Sequence, residues 1–220
     1  MTALQLPWLT ATILMPLAGA LLVSGMRNRE RAQRWSVAII ALTLATTVGA
    51  WREFSSLGIG SAVDPWDIGR LVFGRDLLVI DELSAPLLPL AALLYLLTTI
   101  TTLRTKLRRF SFPLALVSLA LLVAVLSCTE PWAVICLLSL TVIPPYLELR
   151  TRRKPTRVYA LHMGLFVLLL IGGWSWIAAY GSQQPPWWAI TPLILAVLIR
   201  SGIAPFHCWV TDLFEHATFG

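Results

Sequence analysis

Seven stretches of the chain are apolar over 17 residues or more, and six of them contain no charged side chain. They are Leu6–Val23, Trp35–Trp51, Leu83–Leu103, Phe110–Ser127, Pro131–Leu147, Val158–Tyr180 and Trp187–Ile203. The last contains a single charge, Arg200. A helix needs about 17–25 such residues to cross the hydrocarbon core of a bilayer. Backbone polar groups in lipid must be paired within the segment, which selects helix. A membrane barrel would alternate apolar and polar residues in segments of about ten, whereas these runs are continuous. The expected fold is an all-α integral membrane protein of about seven transmembrane helices, forming one transmembrane domain over residues 1–220. Composition agrees: 57% of the residues are hydrophobic and 13% charged, against roughly a quarter charged in soluble domains. That leaves too little polar surface for a water-soluble domain of 220 residues.

The net charge of +6 sits in short connections and does not form a surface for nucleic acid. One basic connection holds Arg27, Arg29, Arg31 and Arg34, and a second holds Arg104, Lys106, Arg108 and Arg109. The third holds Arg150, Arg152, Arg153, Lys154 and Arg157. They follow spans one, three and five. Lysine and arginine stay on the cytoplasmic side, so all three are expected inside and the N-terminus outside. The long connection Arg52–Glu82 then lies outside, with six acids against three arginines. Within it, Ser55–Gly74 reads as an external loop with room for a short hairpin. Trp35, Trp51, Trp132, Trp187 and Trp188 fall near predicted span ends, where amphipathic rings prefer the interface.

Several chemistries lack their residues. The three cysteines, Cys128, Cys136 and Cys208, show no CxxC spacing. Cys128 and Cys136 read as small buried residues of apolar segments. No metal constellation, glycine-rich nucleotide loop or cleavable signal is legible. No cofactor is expected in this chain.

Arg200 is the first functional candidate, because an ionised group inside a spanning segment is costly. It lies near the inner end of its span, so a snorkelling side chain without function is the competing reading. The residues that follow, Ser201-Gly-Ile-Ala-Pro205-Phe-His207-Cys-Trp209, contain Gly202 and Pro205. Proline lacks a backbone donor, so a break in the seventh helix is expected between Arg200 and Phe206. Interrupted helices at membrane depth occur where they line protein or water. His207, just past the break, is either a proton carrier or a structural residue at a helix end. His162, early in span six, is either a residue of a proton path or a histidine placed near the inner interface without that role. Asp81 and Glu82 precede span three, either as a solvated boundary or as a proton entry or exit. Glu130, in the tight turn Ser127–Pro131, reads as exposed.

The stretch Arg200-Ser-Gly-Ile-Ala-Pro205-Phe206-His207-Cys-Trp209-Val-Thr-Asp212 resembles a signature of the antiporter-like membrane subunits of respiratory complex I. That family also includes Mrp-type antiporter and membrane-bound hydrogenase subunits. Its pattern is a lysine, a proline five residues on, often a histidine two later, then Trp-Leu-Pro-Asp-Ala. Pro205, His207, Trp209 and Asp212 fall on it. Ile80-Asp81-Glu82-Leu83-Ser84 is similar to the family's Leu-Asp-Gly-Leu-Ser at the start of span three, and Asp81 takes the aspartate's place. Ser139-Leu-Thr-Val-Ile143-Pro144-Pro-Tyr146 is similar to its Glu-x-x-x-Ile-Pro-x-Tyr in span five. The resemblance covers nearly the whole chain and implies the first half of a fold of about fourteen helices, built as two inverted repeats.

The resemblance implies a subunit of a multi-subunit complex in the bacterial inner membrane, moving protons or Na+, with NADH and quinone handled by other subunits. Two positions depart from it. The family's glutamate aligns with Ser139 and its lysine with Arg200. In the family that acid and lysine form the buried charge pair of a proton half-channel. A buried lysine is able to lose its proton, whereas arginine effectively never does and serine holds no charge. Three functions compete: a membrane-arm subunit with a half-channel, a non-conducting scaffold or truncated remnant of the same family, and a membrane-embedded enzyme. The last is weakest, since no serine–histidine pair or facing pair of acids stands out.

Overall fold

In the computed structural model, the described residues are 2–67, 69–70, 74–102, 110–181 and 186–216. They are mostly helical. The chain divides into two compact units, Met1–Pro144 and Pro145–Phe219.

In the first unit the order is β1 (Thr2–Ala3), α1 (Trp8–Ser24), α2 (Arg29–Leu57), β2 (Ser61–Val63), β3 (Val79–Asp81), α3 (Ser84–Thr101), α4 (Phe112–Ser127) and α5 (Pro131–Leu140). Helix α1 packs on α2 and α4, α2 on α3, and α3 on α4, so these four helices meet in cyclic order. Leu9, Ile40, Leu88, Leu116, Leu119 and Val123 are buried between them. Small residues allow the α1–α2 approach: a Cβ at Gly19 would meet Ile39 at 2.7 Å, and one at Gly49 would meet Trp8 at 2.9 Å. Buried hydroxyls bond within their own helices, as Thr43 Oγ1 does to the Ile39 carbonyl at 2.9 Å and Ser36 Oγ to Ala32 at 2.8 Å. Hydroxyls satisfied this way are tolerated in an apolar interior.

Helix α2 is longer than the expected span at both ends. The Asn28 side chain accepts the Glu30 and Arg31 N–H groups at 3.0 and 3.3 Å, capping a helix whose first turn holds Glu30. Most of the basic segment Arg27–Arg34 is therefore the start of α2 and not a loop, because a cap and an acidic first turn favour helix. Leu103 and the second basic segment, Arg104–Arg109, lie outside the described residues. At the other end α2 runs on to Leu57 and stops at Gly58, whose φ of 61° is left-handed. Arg52–Leu57 is thus helical and not loop.

A small three-stranded sheet follows, in the order β1-β2-β3. Thr2 and Ala3 pair in parallel with Ala62 and Val63, and Ala62 pairs antiparallel with Ile80. The hairpin expected within Ser55–Gly74 is thus a wider one whose return strand is Val79–Asp81. Buried Asp64 fastens this sheet to α1. Its Oδ2 accepts the Leu9 and Thr10 N–H groups at 2.6 and 3.0 Å. Helix α1 has Pro7 at its own N-cap position and no local side-chain cap, so an acid 55 residues away supplies one. Glu53 of α2 accepts from the Gln5 N–H and, at 2.5 Å, from Trp8 Nε1.

The fifth span departs from expectation. In place of one helix over Pro131–Leu147 there are two, α5 and α6 (Ile143–Thr151). Pro144 and Pro145 have no N–H to offer the carbonyls of Leu140 and Thr141, which is why the ladder stops there. Taken across this break, Pro131–Thr151 is, among the described residues, one of four helices long and apolar enough to cross a membrane. The others are α2, α3 and α7 (Arg157–Ala179). Shorter apolar helices cover Trp8–Ser24, Phe112–Ser127 and Trp187–Ser201.

The second unit contains most of α6, then α7, a 3-10 turn at Trp187–Ile190, α8 (Thr191–Ser201) and α9 (Cys208–His216). Helix α7 packs on both α8 and α9. Helix α8 ends where Gly202 turns left-handed, with φ 64° and ψ 29°. The Gly202 N–H and Trp209 Nε1 both donate to the Ile199 carbonyl, at 3.2 and 2.8 Å, satisfying an acceptor that the broken helix leaves open.

Candidate functional site

The side chains with the most chemistry meet around Arg200, in the last turn of α8. Three residues of α7 receive its guanidinium. Nη1 donates to Met163 Sδ at 3.4 Å, the group donates to the Tyr159 hydroxyl, and Cζ lies 5.5 Å from the centroid of the Phe166 ring. Tyr159, Met163 and Phe166 are buried. Their spacing of four and then three residues puts them on one helical face. Trp209 completes the wall, its ring 6.0 Å from that of Tyr159 in an edge-on arrangement.

These contacts suit a permanent cation. An aromatic face and a polarizable thioether attract a guanidinium. The carbonyl-rich C-terminus of α8 carries partial negative charge, which also favours a cation in its last turn. Guanidinium stays protonated across the physiological range. The site thus seats a guanidinium among apolar side chains at the end of α8.

The other sequence candidates lie elsewhere. His162 neighbours Met163 on α7, but its Nδ1 donates to the Val158 carbonyl of its own helix at 2.9 Å. His207 is exposed, and its carbonyl accepts the Val210 and Thr211 N–H groups at the start of α9. Asp81 and Ser84 hold each other at the entrance to α3. Asp81 Oδ1 accepts the Ser84 N–H at 2.6 Å, and Ser84 Oγ accepts the Asp81 N–H at 3.0 Å. That reciprocal pair is a helix-start device. Ser139 Oγ donates to the Ile135 carbonyl of its own helix at 2.7 Å. Gly202 forms the break, and Pro205 lies in the turn that follows.

Tyr159, Met163 and Phe166 carry no signal in the sequence, because most of their helix is apolar and a buried face has little contrast there. Among the described residues, no group of three or more His, Cys, Asp or Glu is placed to hold a metal. Cys136 and Cys208 are exposed and Cys128 is half-buried, which corrects the reading of Cys136 as buried. It faces outward from α5, a side that an apolar run does not reveal.

No protein-family model matches the chain. It is similar to the "NAD(P)H-quinone oxidoreductase chain 4 1" of Picosynechococcus sp. (strain ATCC 27264 / PCC 7002 / PR-6), at 26% identity along 99% of this chain and 46% of that protein. The chain thus spans about half the length of the curated relative it matches. This similarity supports the resemblance to the antiporter-like membrane subunits of complex I.

Proposed function

We propose that this chain is a membrane-arm subunit of a NADH:quinone oxidoreductase-type, cation-translocating complex, and that it contributes a fixed positive charge to a half-channel. The observation that carries this reading is the seat of Arg200. Tyr159, Met163 and Phe166 hold the guanidinium two residues before the Gly202 break. The family's lysine occupies that same position in the resemblance. An arginine there raises the barrier to another cation, or holds a carboxylate from a neighbouring subunit, without releasing its own proton.

The scaffold reading is favoured by a different observation. Ser139 replaces the family's glutamate, and its hydroxyl is spent on the Ile135 carbonyl. A chain of that kind would assemble and brace without conducting.

Membership in such a complex is tested by purifying the tagged chain from its native membrane in a mild detergent and assaying NADH-driven quinone reduction in the eluate. Co-purification of that activity, lost when untagged membranes are used, is expected. Recovery of the chain alone, from membranes that retain the activity, would contradict the proposal.

A further inference from the structure

The first unit contains a slot and a charged mouth that share walls. The slot, of about 330 Å³, lies between α1, α4, α5 and the segment before β3, with Ile13, Leu14, Leu77, Ala124 and Leu137 among its lining. The mouth, of about 440 Å³, is lined by Arg75, Glu130 and Trp132. Leu77 and Ala133 line both.

The polar residues of the slot are turned to other work. Asp67 accepts the Gly69 N–H with Oδ1 and the Leu77 and Leu78 N–H groups with Oδ2. The Thr10 hydroxyl is engaged by Asp64 and the Trp66 carbonyl. What remains is an apolar wall. Backbone pairing fixes the mouth: Leu78 bridges Cys128, and the Thr129 N–H donates to the Leu77 carbonyl at 3.2 Å. Arg75 and Glu130 are thereby brought onto adjoining segments, with Arg75 Nη1 3.7 Å from Glu130 Oε2. The Arg75 side chain is 75% exposed, so this pair is screened and weakly held.

We propose that this groove binds one zwitterionic phospholipid with a primary ammonium headgroup, such as phosphatidylethanolamine. An acyl chain fills the slot. Arg75 takes the phosphate, and Glu130 takes the ammonium with the Trp132 ring beside it. Charge complementarity selects this occupant. An anionic headgroup would meet Glu130, a trimethylammonium offers Glu130 no N–H, and a neutral quinone ring uses neither charge. The volume of the slot lies at the lower end of small-molecule sites, about 300–1,000 Å³, and suits an alkyl chain.

The full chain, purified in mild detergent, is incubated with palmitoyl-oleoyl phosphatidylethanolamine, phosphatidylcholine or phosphatidylglycerol, and bound lipid is counted by native mass spectrometry. Phosphatidylethanolamine is expected to be retained about tenfold more tightly than the other two, the effect of one charge-assisted hydrogen bond. Glu130→Gln should remove its advantage over phosphatidylcholine, and Ala133→Phe, which narrows the passage, should weaken all three. Equal retention of the three lipids by the parent would overturn the proposal, as would an unchanged preference in Glu130→Gln. Displacement of phosphatidylethanolamine by an equal concentration of decyl-ubiquinone would also overturn it, in favour of a quinone slot.

Discussion

At the scale of single residues, Arg200 shows how a cation is seated between two apolar helices. Its partners are a hydroxyl, a thioether and an aromatic face. Tyr159 has two roles, taking a hydrogen bond from Arg200 and packing against Trp209. Tyr159→Phe keeps the ring and loses the acceptor, so it should cost about 1–2 kcal/mol. Tyr159→Leu should cost more, since the ring contact goes too. Thermal unfolding in detergent, followed by circular dichroism, measures both, and equal stability of Tyr159→Phe and parent would show that the hydroxyl is not engaged. Cys128 gives a second residue-scale outcome. Burial pushes its thiol up, with the nearby Asp67 and Glu130 charges acting the same way against a backbone hydrogen bond at Glu130. A raised thiol pKa means less thiolate at a given pH, and thiolate is the reactive form. Maleimide labelling of Cys128 should therefore be slower than that of a free cysteine at pH 7.5 and should accelerate as pH rises. A rate independent of pH between 7 and 9, read by peptide mass spectrometry, would contradict this.

At the scale of elements, the ends of helices decide more than their middles. Helix α1 depends on Asp64, because Pro7 precedes it and no neighbouring side chain caps it. Asp64→Ala should destabilise the first unit by about 1–2 kcal/mol, the usual cost of a lost cap, while Asp64→Asn keeps an acceptor and should cost less. A smaller loss for Ala than for Asn would contradict the cap assignment. Gly202 is the matching case at the end of α8. Its φ is 64°, and an added Cβ would lie 2.4 Å from Val210 Cγ2. Gly202→Ala should cost more than the roughly 1 kcal/mol of left-handed strain alone, since Val210 must also move. These ends were partly legible. Gly202 and Pro205 announce a break by their backbone chemistry. Pro144 and Pro145 carried the same signal, but the run around them is uniformly apolar, and counting apolar residues does not count missing N–H donors. Asn28 stands among arginines, and that run does not mark it as a cap. The Asp64 cap crosses 55 residues, and nothing local in the sequence names its partner.

At the scale of the whole molecule, the long apolar runs were the most legible feature, because length and absence of charge are sufficient for a spanning helix. The Arg200 seat was half legible. The cation stood out against its apolar run, whereas its partners on α7 are ordinary core residues until α8 is placed against them. The basic bias predicts that Arg27–Arg34 and Arg150–Arg157 face the cytoplasm. Single cysteines placed there should resist a membrane-impermeant maleimide applied from outside, and rapid labelling of either segment would reverse the topology. The central claim, that Arg200 is a fixed charge that carries no proton, is tested most directly by protons translocated per NADH oxidised in the reconstituted complex. The Arg200→Lys, Ser139→Glu double variant is predicted to raise that ratio above the parent's. A parent already at full stoichiometry, with Arg200→Ala lowering the ratio and Arg200→Lys leaving it unchanged, would contradict the account.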